Sequence, residues 1–194
     1  MPHPRQISAD QVLAAALELL ESEGPDALSL RALAARMGVR APSLYHYFPD
    51  KSALEAALIE QGSAFLFEEL AAQLQAIPEA TPTQRLRTLA SAYLNFARTR
   101  PRLYTFLMQQ APGSGYSPAG KQLWNLLLVT LCEHTGIPDD TSRAVALWSF
   151  LHGFVALELA GRFGNSGPLD AFELGLAPFL QPASHLRSKG GLPF

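Results

Sequence analysis

The fold is decided by residues 28–51, which read LSLRALAARMGVRAPSLYHYFPDK. One face of a short helix is marked by apolar residues at i, i+3, i+4 and i+7, namely Leu30, Leu33, Ala34 and Met37. Gly38 follows at once and allows the left-handed backbone that ends a helix with a sharp reversal. Pro42 suits the first turn of a second, very short helix, where a missing N–H costs nothing. Two short helices joined by a glycine turn predict a helix-turn-helix.

The remainder of the chain also reads as helices, because no alternating strand pattern of useful length occurs. Ser8 and Gln11 have capping-box spacing in front of a helix that ends at Gly24, and Thr81 and Gln84 repeat that spacing. Further helices are predicted near 117–134, near 140–162 and from about 169. A long helix should run from residue 51 toward residue 77, with a buried stripe of Leu54, Leu58, Phe65, Leu70 and Leu74. The fold class is therefore all-α.

Residues 7–61 resemble the DNA-binding domain of the TetR family of regulators. The resemblance is carried by residues 28–39 and above all by Leu44-Tyr45-His46-Tyr47-Phe48-Pro49-Asp50-Lys51 at its distance from the glycine turn. It implies that Ser29 and Lys51 bind DNA phosphates at helix N-termini, where the helix dipole already favours anions, and that Tyr45 adds a phosphate hydrogen bond. The residues expected to face base edges are Arg40, Ala41, Pro42, Ser43 and His46.

Several of these residues also have structural interpretations. Tyr47 belongs to the expected DNA-binding set, although many relatives carry His there. Phe48 is expected in the core, Arg31 and Arg36 are expected to be solvated charges, and His46 is as readily an incidental surface residue.

The charge balance limits the kind of nucleic-acid contact. The net charge is −2, and residues 1–60 carry five Lys or Arg against eight Asp or Glu. Within residues 29–51, however, four cations stand against one acid. Any DNA contact should therefore be local, and non-specific coating of nucleic acid is disfavoured.

The stretch 144–160 is apolar almost all round and needs cover on every side. We expect a four-helix interface with a second copy, although burial within one subunit is the alternative. The expected dimer residues are Leu151, Val155, Leu159, Phe172, Leu176 and Phe179. Trp148-x-x-x-His152-Gly153 also resembles the signature of the WHG-type C-terminal domain of some TetR-family regulators.

Residues 61–194 hold 15 of the 18 aromatic side chains, enough to line a cavity between helices. For each aromatic residue alone, plain core packing is favoured over ligand contact, and for His152 a hydrogen-bonded core position is favoured. Collectively they predict a site for a small apolar effector, with the candidate residues Phe65, Tyr93, Phe96, Tyr104, Met108, Trp124, Trp148 and His152.

No catalytic set is recognisable, so an enzyme is not expected, nor a cofactor or metal. His152 and Glu158 lie on different helix faces, and Cys132 and His134 do not converge. A helical protein–protein adaptor that uses the helix-turn-helix only as a scaffold is the remaining alternative. The lone cysteine and the lack of a signal-peptide pattern favour the cytoplasm, and no segment suits a membrane span.

Together these patterns predict a ligand-responsive, dimeric DNA-binding regulator, with repression implied by the family resemblance. A three-helix helix-turn-helix domain at 7–55 is joined by a long helix to a larger ligand-binding and dimerisation domain at 56–181, followed by a mobile tail at 182–194.

Overall fold

A computed structural model describes residues 7–109, 117–164 and 170–181, and every regular element within these ranges is helical. The predicted all-α class is confirmed. The expected mobile tail at 182–194 lies outside the described residues. The helices are α1 (Ala9–Glu23), α2 (Leu30–Met37), α3 (Ala41–Tyr45), α4 (Lys51–Gln75), α5 (Pro82–Thr99), α6 (Pro101–Met108), α7 (Pro118–Thr135), α8 (Thr141–Leu159) and α9 (Ala171–Leu180), with a 3₁₀ turn at Pro25–Ala27.

The starts of α1 and α5 are fixed by the predicted capping boxes. The Ser8 hydroxyl accepts a hydrogen bond from the Gln11 N–H at 3.2 Å, and the Gln11 side chain accepts one from the Ser8 N–H at 3.1 Å. Thr81 and Gln84 exchange the same pair of bonds at 3.3 and 2.8 Å. Each box satisfies two backbone donors that a helix start leaves open.

The buried stripe of α4 differs from the prediction at one position. Leu54, Leu58, Leu70 and Leu74 are buried as expected, but Phe65 is only half-buried and Leu66 is 1% exposed. Leu66 lies eight residues after Leu58 and four before Leu70, which is the spacing of a single helical face. The assignment of Phe65 to this stripe is therefore wrong.

The chain divides into two compact units. The first contains Met1–Glu68 and Asn95–Leu123, and the second contains Glu69–Leu94 and Trp124–Phe194. The unit with the helix-turn-helix is thus larger than the 7–55 domain expected from sequence, since α6 belongs to it. Among the described residues, no helix combines the length and the apolar character needed to cross a lipid bilayer.

In the second unit, α8 (Thr141–Leu159) packs against α9 through aromatic rings. The Phe150 ring stacks on Phe172 and Phe179 with centroid distances of 5.7 and 6.0 Å. Gly175 makes this approach possible, because a Cβ at its position would lie 2.3 Å from Cε2 of Phe150. The pairing of α8 with α9 therefore depends on a missing side chain.

The exposed side of these two helices is not the side expected from sequence. Leu151, Val155, Phe172 and Leu176 are buried by their own chain, and their place in a dimer interface stays a prediction. Leu159 and Phe179 are half-buried. The large apolar side chains that α8 and α9 leave exposed are Val145, Leu157 and Leu174, at 46, 48 and 66%.

Candidate functional site

The start of α2 is organised by Ser29. The Ser29 hydroxyl oxygen accepts a hydrogen bond from the Ala32 N–H at 3.1 Å, which makes this residue the N-cap. A serine hydroxyl that accepts one bond still has a proton to donate. Ser29 therefore stands half-buried at the positive end of a helix, where an anion is favoured.

The turn after α2 follows the geometry that its glycine predicts. Gly38 has φ 68° and ψ 31°, and its N–H bonds to the Ala35 carbonyl while the Val39 N–H bonds to the Ala34 carbonyl at 2.9 Å. These two bonds form a Schellman motif. The space around the missing Cβ is open, so the requirement for glycine is conformational and not steric.

Only one side chain of α3 is needed to hold the helix in place. Leu44 is fully buried, whereas the neighbouring positions are open to solvent. Ala41 is half-buried, and the exposed residues are Arg40, Pro42, Ser43, Tyr45 and His46. A short helix anchored by a single leucine leaves all its other side chains available to a partner.

Tyr47 differs from the rest of the predicted DNA-binding set. Its hydroxyl donates a hydrogen bond to the Ile7 carbonyl, and its ring meets the His46 ring edge-on with centroids 5.4 Å apart. Tyr47 is half-buried and Phe48 is buried, which agrees with the core role expected of Phe48. The polar group of Tyr47 thus connects the end of α3 with the start of α1.

Lys51 is the first residue of α4. The Asp50 carboxylate caps this helix by accepting a hydrogen bond from the Ala53 N–H at 2.8 Å. The Lys51 ammonium is exposed and lies 3.4 Å from the Glu55 carboxylate one turn along the same helix. Since an exposed pair of this kind contributes at most about 1 kcal/mol, Lys51 can exchange Glu55 for a phosphate.

Arg36 differs from the other cations of this region because two carboxylates of α1 lie beside it. Its guanidinium lies 3.9 Å from the Glu18 carboxylate and 3.5 Å from that of Glu23, both on α1. Arg31 is exposed, as are Arg40 and Lys51. Two of the N-terminal acids therefore balance Arg36.

Four of the predicted effector residues lie in the first unit. Phe96 and Tyr104 are buried, and Phe65 and Met108 are half-buried. Arg100 joins two of them, because its guanidinium carbon lies 5.5 Å from the Phe65 ring centroid and 5.8 Å from that of Phe96. Arg100 was not predicted from the sequence, although an arginine between two aromatic-rich helices is a signal for such a contact.

The other four lie in the second unit. Tyr93 is buried, and the rings of Trp124 and Trp148 meet edge-on with centroids 6.3 Å apart. His152 follows Trp148 by one turn of α8, and its burial lowers the pKa of its imidazole below the ordinary value of 6.5. Trp124, Trp148 and His152 thus supply apolar surface together with a neutral imidazole.

In the described ranges, no group of three or more His, Cys, Asp or Glu side chains is placed to hold a metal ion.

Two family models match this chain. Residues 12–58 match the model for bacterial regulatory proteins of the tetR family, and residues 86–177 match the tetracyclin repressor-like C-terminal domain. The first of these ranges contains α2, α3 and the residues with which α4 begins.

Individual proteins are similar over most of the chain. YobS of Bacillus subtilis (strain 168), an uncharacterized HTH-type transcriptional regulator, is 29% identical over 78% of each chain. The structure of a protein of unknown function from Rhodococcus sp. RHA1 superimposes with a TM-score of 0.76 at 28% identity, covering 93% of this chain and 97% of that one.

A variant of TetR from Acinetobacter baumannii AYE, solved in complex with minocycline, superimposes with a TM-score of 0.64 at 25% identity and covers 90% of this chain and 95% of that one. The helix-turn-helix geometry and both family models agree. The chain is a transcriptional regulator of the TetR family.

Proposed function

We propose that this regulator is a dimeric repressor that leaves its operator when a small apolar or aromatic effector binds. The observation that carries the DNA-binding part is the construction of α3, in which Leu44 alone is buried and Arg40, Pro42, Ser43, Tyr45 and His46 are exposed after a Schellman turn. Such a helix suits insertion into the major groove, where its first residues read base edges.

Phosphate contacts would position that helix. Ser29 and Lys51 stand at the N-termini of α2 and α4, and Tyr45 is exposed on α3. Helix N-termini favour phosphate through their dipoles and open N–H groups. These three residues fix the register on the duplex, and Arg40 and Ser43 select the bases.

A dimer would bring two such helices to one operator. Val145, Leu157 and Leu174 are exposed apolar side chains on α8 and α9, and a second copy would cover them. The two recognition helices would then read half-sites of a near-palindrome about 34–36 Å apart.

The effector part rests on Trp124, Trp148 and His152. Two indole rings and an imidazole whose pKa is lowered by burial favour an apolar or aromatic ligand over a charged one. The Acinetobacter TetR variant was solved in complex with minocycline, and by likeness alone this supports a small-molecule effector for this chain. Native mass spectrometry of the purified protein would name the chemical class of any ligand that it carries.

The test of DNA binding starts with selection of operator sequences from a random DNA library by the wild-type protein. Lys51→Ala and Tyr45→Phe should then weaken binding to all sequences. Lys51→Ala should lower the salt slope by about 2, because the dimer contains Lys51 twice and two phosphates fewer are neutralised. Arg40→Ala and Ser43→Ala should alter which bases are preferred. Lys121→Ala, which removes an exposed charge of α7, is the matched control.

Two results would contradict the proposal. If the wild-type protein selects no sequence, the adaptor interpretation replaces it. If Lys51→Ala and Lys121→Ala bind the operator with the same affinity and the same salt slope, the phosphate assignment of Lys51 is wrong.

A further inference from the structure

We propose that Glu21 is a positioning residue for operator binding, because its side chain on α1 caps α6 and so fixes the DNA-binding helices to α6. All residues involved belong to the first compact unit. The consequence for operator affinity rests on the proposed function. The pair of hydrogen bonds that connects α1 with α6, called the joint below, does not.

Helix α6 has no cap of its own. Its N-cap position is Arg100, which makes no side-chain cap hydrogen bond, and a guanidinium contains no acceptor. The Glu21 carboxylate fills this role from α1, since its Oε1 accepts a hydrogen bond from the Leu103 N–H at 3.1 Å. A carboxylate at a helix N-terminus is also favoured by the helix dipole.

The second hydrogen bond of the joint connects a side chain of α6 with the backbone of α1. Arg102 Nη1 donates a hydrogen bond at 2.9 Å to the backbone carbonyl of Glu21, in the last turn of α1. That turn contains no basic residue of its own, and carbonyls there lack partners within the helix. Arg102 therefore supplies the cation that the C-terminus of α1 lacks, while Glu21 supplies the anion that the N-terminus of α6 lacks.

Helix α4 holds α6 and α7 in a similar way. A Cβ at Gly62 would lie 2.9 Å from methyl groups of Leu103 and Leu107, so the missing side chain lets α6 approach α4 closely. The Glu60 carboxylate accepts a hydrogen bond from the Ala119 N–H near the start of α7, at 3.1 and 3.2 Å from its two oxygens. Both helices that flank the helix-turn-helix thus hold a later helix through a glutamate.

Glu21 has two separable roles, capping α6 and holding α1 against α6. An experiment can distinguish them, because α6 can be given a cap of its own. Arg100 occupies the N-cap position of α6 without a side-chain acceptor. Arg100→Asn places an acceptor at this position, where asparagine is among the preferred residues. In the double variant Glu21→Ala/Arg100→Asn, α6 is capped locally, its tie to the Glu21 side chain is absent, and the net charge equals that of the wild type.

The experiment compares Glu21→Ala, Glu21→Gln, Arg100→Asn and the double variant with Glu18→Ala, a matched removal of an exposed acid from α1. The readouts are hydrogen exchange of the amides in α6 and in the last turn of α1, and affinity for operator DNA selected by the wild type. Glu21→Ala should speed exchange in α6, whose cap is removed, and in the last turn of α1, which is then held to α6 only by the Arg102 hydrogen bond to the Glu21 backbone carbonyl. Operator binding should weaken about fivefold or more. Glu18→Ala should leave exchange unchanged and bind slightly tighter, since it removes the same negative charge.

In the double variant, exchange in α6 should return to the wild-type rate while the last turn of α1 and the operator affinity do not recover. Glu21→Gln, which keeps an acceptor oxygen, should retain most of the protection from hydrogen exchange and most of the operator affinity. Recovery of operator affinity in the double variant would reduce Glu21 to a local cap, and equal affinities for Glu21→Ala and Glu18→Ala would also overturn its positioning role. If the wild type selects no operator, the proposed function fails by itself, and exchange in α1 still decides whether the joint exists.

Discussion

The exposed apolar side chains of α8 and α9 predict that Leu157→Glu dissociates the proposed dimer without unfolding the subunit. Leu157 is 48% exposed in the single chain, which leaves about 90 Å² for a partner to cover, worth about 2 kcal/mol per copy. Because a symmetric dimer contains Leu157 twice, the substitution weakens the dimer by about 4 kcal/mol. Its dissociation constant should therefore rise roughly a thousandfold. Placing a carboxylate in an apolar interface weakens it further.

Sedimentation velocity over a range of concentrations measures the change in the dissociation constant, and three further variants serve for comparison. Ile137→Glu alters a residue of similar exposure, 41%, in the connection between α7 and α8, and should leave the dimer intact. Leu151→Glu buries a charge within the subunit, since Leu151 is 1% exposed, and should unfold the protein. Leu174→Glu, from the exposed side of α9, should behave like Leu157→Glu.

The interface assignment is wrong if Leu157→Glu and Leu174→Glu sediment as dimers at the concentrations at which the wild type does. It is also wrong if Ile137→Glu is the variant that dissociates, because the interface would then lie at the α7–α8 connection.

Three further predictions concern individual residues. Gly38→Ala should cost about 1–2 kcal/mol of unfolding free energy in urea, because φ is 68° there, and Gly38→Asn should cost less. Tyr47→Phe should cost about 1 kcal/mol through its hydrogen bond to the Ile7 carbonyl and leave base preference unchanged in a binding selection. Because burial lowers the pKa of His152 below 6.5, the unfolded chain takes up its proton first, so urea midpoints should fall as the pH drops below about 6.5, and His152→Gln should flatten that fall.

Local signals in the sequence predicted the helix ends well. The boxes at Ser8 and Thr81 and the turn at Gly38 involve partners within a few residues, so the pattern contains the whole interaction. The same holds for the single inward position of α3, Leu44. Short-range hydrogen bonding therefore made the helix-turn-helix predictable.

Long-range contacts were not predictable in this way. The bond between Glu21 and the Leu103 N–H joins residues 82 positions apart, a separation that no spacing rule covers. On α8, apolar residues occur all round the helix, so the pattern contains no contrast between a core side and an outer side. Leu151 and Leu157 are equally apolar, and only the packing of α9 shows that Leu151 is covered by its own chain.

The acidic N-terminal region is compatible with DNA binding because its charges are distributed unevenly. Glu18 and Glu23 pair with Arg36, Glu55 lies beside Lys51, and the cations Arg31, Arg40 and Lys51 are exposed. Each phosphate contact contributes only about 0.9 to the salt slope. With three such cations, one subunit should therefore bind DNA of any sequence only weakly. In the proposed dimer, two subunits read two half-sites at once, and their combined contacts give the operator affinity that one subunit lacks. We therefore expect substitutions that dissociate the dimer, such as Leu157→Glu, to weaken operator binding as substitutions on α3 do.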